Sequence, residues 1–163
     1  MSIQIENKLK LLDAAFKAVQ ETFKQMIDVD VSRGPISSRE ENPLLGDINV
    51  IASIPLRTPP NFDGELFLYL PERIYLFILS KMVGQLLTMD SEEAKTGAGE
   101  ILNIVGGHVN LMLAKDGFSI KQDQLPRILS EQERKTLSSL LSDGLMMTFN
   151  SAMGAFFVEV IES

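Results

Sequence analysis

The 163-residue chain contains no cysteine, no tryptophan, two tyrosines and a single histidine, His108. Without cysteine it can form no disulfide, no thiolate zinc site and no cysteine nucleophile. That one histidine has no nucleophile or second ligand at a recognisable spacing, which argues against a Ser-His-Asp arrangement or a hydrolytic metal centre. Positive charge is short as well: 15 lysines and arginines face 22 acids, for a net charge of -7. Phosphate backbones need a basic patch and none is visible, so a nucleic-acid surface is excluded. An acidic chain of this kind should bind phosphate compounds poorly unless a cation or a basic partner comes from outside. No apolar run reaches the roughly 18 residues of a membrane span. The opening segment is charged and amphipathic, with no signal-peptide core, so a cytoplasmic location is expected.

What the chain does have is apolar residues, 45% of the total, enough for a substantial core. Its length suits a single domain over 1–163. Ile5, Leu9, Leu12, Phe16, Val19, Phe23 and Met26 recur at spacings of four and three, which predicts a long first helix facing the core. The next segment, 30–47, holds Gly34, Pro35, Pro43 and Gly46 among Ser and Asn, and reads as a loop. Two strands, 48–56 and 64–70, follow around a turn and should pair antiparallel. In the second, Leu66, Leu68 and Leu70 alternate with Glu65, Phe67 and Tyr69, so both faces should be covered. A helix opening at Pro71 precedes a second one that Asp90 or Ser91 can cap and Gly117 can end. Residues 118–125 suggest a short strand, 130–142 either a short helix or a polar insertion, and 145–163 two strands around a turn near 150–154. The expected class is α+β, with helices packed on a mostly antiparallel sheet.

The segment "TGAGEILNIVGGHVN", 96–110, carries four glycines inside a helical pattern. Each glycine in an exposed helix costs about 1 kcal/mol against alanine, so close approach to a neighbouring element or a partner is expected at some of them. At about 100° per residue, Thr96, Glu100, Asn103, Gly107 and Asn110 share one stripe. Ala98, Ile101, Leu102, Val105, Val109 and Met112 supply the buried side. Glu100 and Asn103 should therefore stand side by side and outward, their Cβ atoms roughly 5–6 Å apart. Thr96 either orients Glu100 from one turn away or bonds back to its own helix; both readings stand. His108 reads as a packed or hydrogen-bonded side chain, Met146, Met147 and Met153 as core, and 131–135 as a solvated charge run.

Glu100-x-x-Asn103 is followed after 22 intervening residues by Pro126, and Thr96 lies four residues before the glutamate. This pattern, with the small-residue helix and the order of elements, resembles the CheC/CheX/FliY family of chemotaxis phosphatases over nearly the whole chain. Thr96 stands where the family has Asp or Ser. No second Glu-x-x-Asn occurs, so the chain is most similar to the single-motif CheX type rather than the duplicated CheC type.

The resemblance implies a CheC-like α/β sandwich, a homodimer, and removal of phosphate from the phospho-aspartate of a CheY-like response regulator. Glu100 and Asn103 would be the catalytic pair: Asn103 would place the attacking water and Glu100 would dock a lysine of the regulator. Thr96, Gly107 and Asn110 would support or contact the partner, and Pro126 would set a strand or turn. No cofactor is implied in this chain; Mg²⁺ would sit on the regulator. The alternative is a non-catalytic adaptor that binds a response regulator or the flagellar switch through the same helix.

Overall fold

The computed structural model of the chain describes residues 3–38, 50–58, 62–115, 119–120, 127–139 and 144–162. Helix α1 (Ile3–Ile27) opens the chain, followed by strands β1 (Val31–Ser38), β2 (Val50–Thr58) and β3 (Phe62–Leu70). Helices α2 (Glu72–Val83) and α3 (Glu92–Ala114) come next, then the short strands β4 (Ser119–Ile120) and β5 (Arg127–Ile128). Helix α4 (Glu131–Ser139) and the hairpin β6 (Leu145–Ser151) and β7 (Gly154–Glu162) complete it. The strands form one sheet in the order β1-β6-β7-β3-β2, with β4 and β5 both on the outer side of β2. All pairings between described strands are antiparallel. The α+β expectation holds.

The central strands are apolar on both sides because the sheet is covered on both sides. Leu66, Leu68 and Leu70 face the main core together with Met147, Phe149, Phe156, Val158 and Val160. Phe67, Tyr69, Met146 and Phe157 point the other way, into a smaller cluster closed by Leu129 and by Leu137 of α4. That alternation is the two-residue period of a strand. Register carries it across the sheet, since Ala52 pairs with Leu68, Leu68 with Val158, and Val158 with Met147. Glu159 is buried on the side of the smaller cluster, where the Tyr69 hydroxyl donates to its carboxylate.

Helix α1 lies on the main core through Leu12, Phe16, Val19 and Phe23, four residues of the predicted stripe, whereas Ile5 at its start is 42% exposed. Its rings join those of the hairpin in a chain. Phe16 meets Phe149 edge-on at 5.6 Å, Phe149 meets Phe156 at 5.2 Å, and Phe156 stacks on Phe23 at 5.4 Å. Such pairs contribute about 0.5–1.5 kcal/mol beyond the area they bury.

One segment departs from expectation. Residues 31–38, read from sequence as loop, form the edge strand β1, paired with β6. The register shifts between Arg33 and Ile36, so Gly34 and Pro35 sit in a bulge. Proline is tolerated there because the edge of a sheet and a bulge need no ladder N–H. Glycine is needed because a Cβ on Gly34 would lie 2.8 Å from the Thr148 carbonyl oxygen. Arg33 ties the strand to α1, with its guanidinium on Asp13 and 4.9 Å from the centre of the Phe16 ring.

Residues 131–139 prove to be the helix of the two readings left open. Ser130 and Glu133 form a reciprocal cap: the Glu133 N–H donates to Ser130 Oγ at 3.2 Å, and the Ser130 N–H to Glu133 Oε1 at 3.1 Å. That backbone donor, then the Arg127 guanidinium, hold the Glu133 carboxyl below its ordinary pKa. Helix α2 begins after Pro71, one residue later than predicted, and ends at Gly84 (φ 76°), whose N–H donates to the Ser80 carbonyl. No helix among the described residues is long and apolar enough to cross a membrane.

Phe149, fully buried in the ring chain, gives a direct check on this core. Phe149→Ala should lower unfolding free energy by about 3–5 kcal/mol in urea denaturation, and a loss below about 1 kcal/mol would contradict the packing described.

Candidate functional site

Helix α3 is fixed along one side and bare along the other. Near its start, the Tyr75 hydroxyl of α2 donates to the Ala94 carbonyl. One turn on, Gly97 faces Leu79 of α2: a Cβ there would lie 2.6 Å from Leu79 Cδ2, and Leu79 is itself buried. Ile101 and Val105 then enter the main core, and Gly106 is buried beside them. Near the far end, His108 Nδ1 lies 2.7 Å from Thr22 Oγ1 of α1. The Thr22 hydroxyl donates to the Ala18 carbonyl at 2.7 Å, so the imidazole is the donor at Nδ1. His108 is thus a fastening between helices, as its place beside the apolar face suggests.

With that side held, the opposite stripe faces outward. Thr96, Glu100, Asn103 and Gly107 are exposed and Asn110 is half-buried. The structure brings all five onto one face of α3. Among the described residues, neither the Glu100 carboxylate nor the Asn103 amide is engaged by a hydrogen bond or ion pair. Both functional groups are therefore presented to whatever meets this face. Thr96 donates instead to the Glu92 carbonyl one turn back, at 3.0 Å. Of its two readings, the bond to its own helix is the one realised. Pro126 and the side chains of Ala98, Leu102 and Val109 lie outside the described residues.

Ser91 precedes α3 in the capping position, but its hydroxyl turns back to Thr88, accepting from the Thr88 N–H at 2.9 Å and donating to the Thr88 carbonyl. Its own carbonyl accepts from the Ala94 N–H. Met146 and Met147 are fully buried and Met153 packs against the core, as expected of filler. No group of three His, Asp or Glu side chains able to hold a metal occurs among the described residues. Bordering the stripe on the Glu100 side is Leu111, which is 65% exposed. Helical spacing gives no sign of that exposure, since an apolar residue in such a pattern normally reads as core.

The glycines now divide. Gly97 has a reason within this chain, because a side chain there would have to displace the buried Leu79 side chain. Gly107 is not, because a Cβ there would meet nothing within 4 Å. Gly107→Ala should leave stability unchanged or raise it by up to about 1 kcal/mol. Gly97→Ala should lower it by about 1–2 kcal/mol, overpacking outweighing the gain in helix propensity. Paired urea melts of the two variants test the division, and equal shifts would refute it.

The sequence matches no protein-family model and none of the curated proteins. The fold does match solved structures. A CheC-like superfamily protein from Shewanella sp. PV-4 aligns with TM-score 0.74 and 21% identity over 94% of this chain and 97% of that chain. The chemotaxis protein CheX from Vibrio vulnificus gives TM-score 0.74 and 19% identity over 94% and 99%. The CheX–CheY–BeF3–Mg²⁺ complex from Borrelia burgdorferi gives TM-score 0.68 and 20% identity over 94% and 95%. Nearly the full length of each chain is superposed, helices and sheet together, and the chain has the CheC-like fold.

Proposed function

We propose that the chain is a CheX-like chemotaxis phosphatase that hydrolyses the phospho-aspartate of a CheY-like response regulator. The observation that carries the reading is the outward placement of Glu100 and Asn103, one turn apart on α3 and unengaged among the described residues, within a CheC-like fold. A CheX with this fold has been crystallised with CheY, BeF3 and Mg²⁺.

An acyl phosphate is already reactive, so a catalyst need only place water in line and let the partner's cations balance the charge. Asn103 suits the first task, since a neutral amide can accept from one water proton and donate elsewhere without repelling the phosphoryl group. The water oxygen bonds to phosphorus as the bond from phosphorus to the aspartyl oxygen breaks. Aspartate and inorganic phosphate leave, and the water's proton passes to phosphate or solvent. Glu100 is an unsuitable neighbour for that phosphoryl group but a good partner for a regulator lysine. The ion pair would hold α3 in place and fix the aim of Asn103. Mg²⁺ belongs to the regulator, where it neutralises the phosphoryl oxygens, so a chain of net charge -7 needs no cation of its own. The reading includes a homodimer and a cytoplasmic site of action.

Phosphate release from a phosphorylated CheY-type regulator tests this. Wild-type protein should accelerate the loss, and Asn103→Ala should cut the acceleration on the order of 10²–10³-fold while binding persists. Glu100→Ala should weaken binding and rate together, by about tenfold or more. Phosphorylation-dependent binding with no acceleration, indifferent to Asn103→Ala, would instead make the chain an adaptor.

A further inference from the structure

We propose that Leu111 is the apolar anchor of the regulator-docking surface, kept open by Gly107. The inference rests on the reading of α3 as the docking helix and extends it beyond the catalytic pair.

Leu111 is 65% exposed. It lies about 20° around the helix from Glu100 and about 12 Å along the axis from Asn103, from the geometry of an α-helix. It lies about 80° around from Asn103, so it borders the stripe on the Glu100 side, about two turns beyond the amide. Side chains on a helix lean toward its N-terminus, so Leu111 overhangs the turn that contains Gly107. At any other residue type, position 107 would offer an i,i+4 side chain to cover the leucine. Glycine offers none, and the space a Cβ would fill is empty to 4 Å. This glycine answers no steric demand within the chain, unlike Gly97. Its effect is to leave a trough beside an apolar knob, next to two polar groups that are unengaged among the described residues.

The occupant is an apolar side chain on the face of the phosphorylated receiver domain, beside its active site. Continuity with the Glu100–Asn103 pair selects it, because a partner held at both residues extends along the same helix. Burial of Leu111 supplies apolar affinity that a net-acidic surface otherwise lacks. The leucine is too far from the reacting atoms to act on them, so its contribution is to docking and not to chemistry.

Phosphate release is measured against regulator concentration, with a CheY-type regulator phosphorylated by acetyl phosphate and freed of donor. Leu111→Ser should raise KM about five- to thirty-fold with kcat within about twofold, and Leu111→Met should restore KM. Leu86→Ser, at a leucine 97% exposed outside the stripe, should leave both unchanged. An unchanged KM for Leu111→Ser, or an equal rise for Leu86→Ser, overturns the anchor and leaves the phosphatase reading standing. If wild-type protein accelerates nothing, titration with the BeF3-activated regulator decides. Weaker binding of Leu111→Ser than of wild type then supports the anchor while the phosphatase reading falls, and equal binding overturns it. No binding by wild type overturns both.

Discussion

Everything the site offers depends on helix α3 being held, among the described residues, from one side only. Ile101 and Val105 enter the core, Gly97 lets α2 approach to contact, and the Tyr75 and His108 hydrogen bonds pin the helix at each end. These restraints fix its rotation about its own axis. A helix free to roll by one residue position, about 100°, would turn Glu100 and Asn103 off the outward stripe. The partner proposed for this face would need the amide placed within a fraction of an ångström, and precision of that kind comes from the shell that supports a site.

The mount is rigid because the sheet beneath it is buried on both faces. The apolar run of β7, Phe156-Phe157-Val158, would be a hazard on a one-sided sheet. Here the odd and even positions feed separate clusters, the larger under α1 and α3 and the smaller under α4. The smaller cluster includes a polar pair, Tyr69 with Glu159, satisfied by each other. Buried polar groups with partners specify one arrangement where apolar contacts alone would allow several. Helix α4, with a largely polar sequence, could not hold its place by apolar contact alone. Leu137 gives it one anchor and the Ser130–Glu133 cap gives it a start.

How much of this was legible in the sequence follows from which forces are local. The stripes of α1 and α3 are periodic, and periodicity is written in adjacent residues, so both helices and the outward face of Glu100 and Asn103 could be read directly. The β2–β3 and β6–β7 pairs are joined by short turns, which is also local information. Strand β1 was hidden because its partner, β6, lies more than a hundred residues away, and because Gly34 and Pro35 carry the composition of a loop. Only the Thr148 backbone close by explains the glycine. Helix α4 had a local signal, the serine three residues before a glutamate, but a nonapolar segment gives no periodic stripe to support it. Thr96 shows the limit most clearly, since its two hydrogen-bonding choices differ by one rotamer and only coordinates separate them.

The chemistry of the exposed pair follows from its charge asymmetry. On the proposed reading, a phosphoryl group and an acidic chain would repel each other, so the residue nearest the reacting atoms would have to be neutral and still able to hold water, as an amide is. The one formal charge on the stripe between Thr96 and Asn110 is Glu100, one turn from that amide, where it can meet a cation of the partner instead of the phosphate. Exchanging the two positions would leave the same groups on the same face, yet on the proposed reading it would put the acid where the amide is to aim the water. The spacing alone therefore does not define the site. Its order along the helix does, with the acid toward the N-terminus, the amide one turn on, and a bare glycine one turn beyond that.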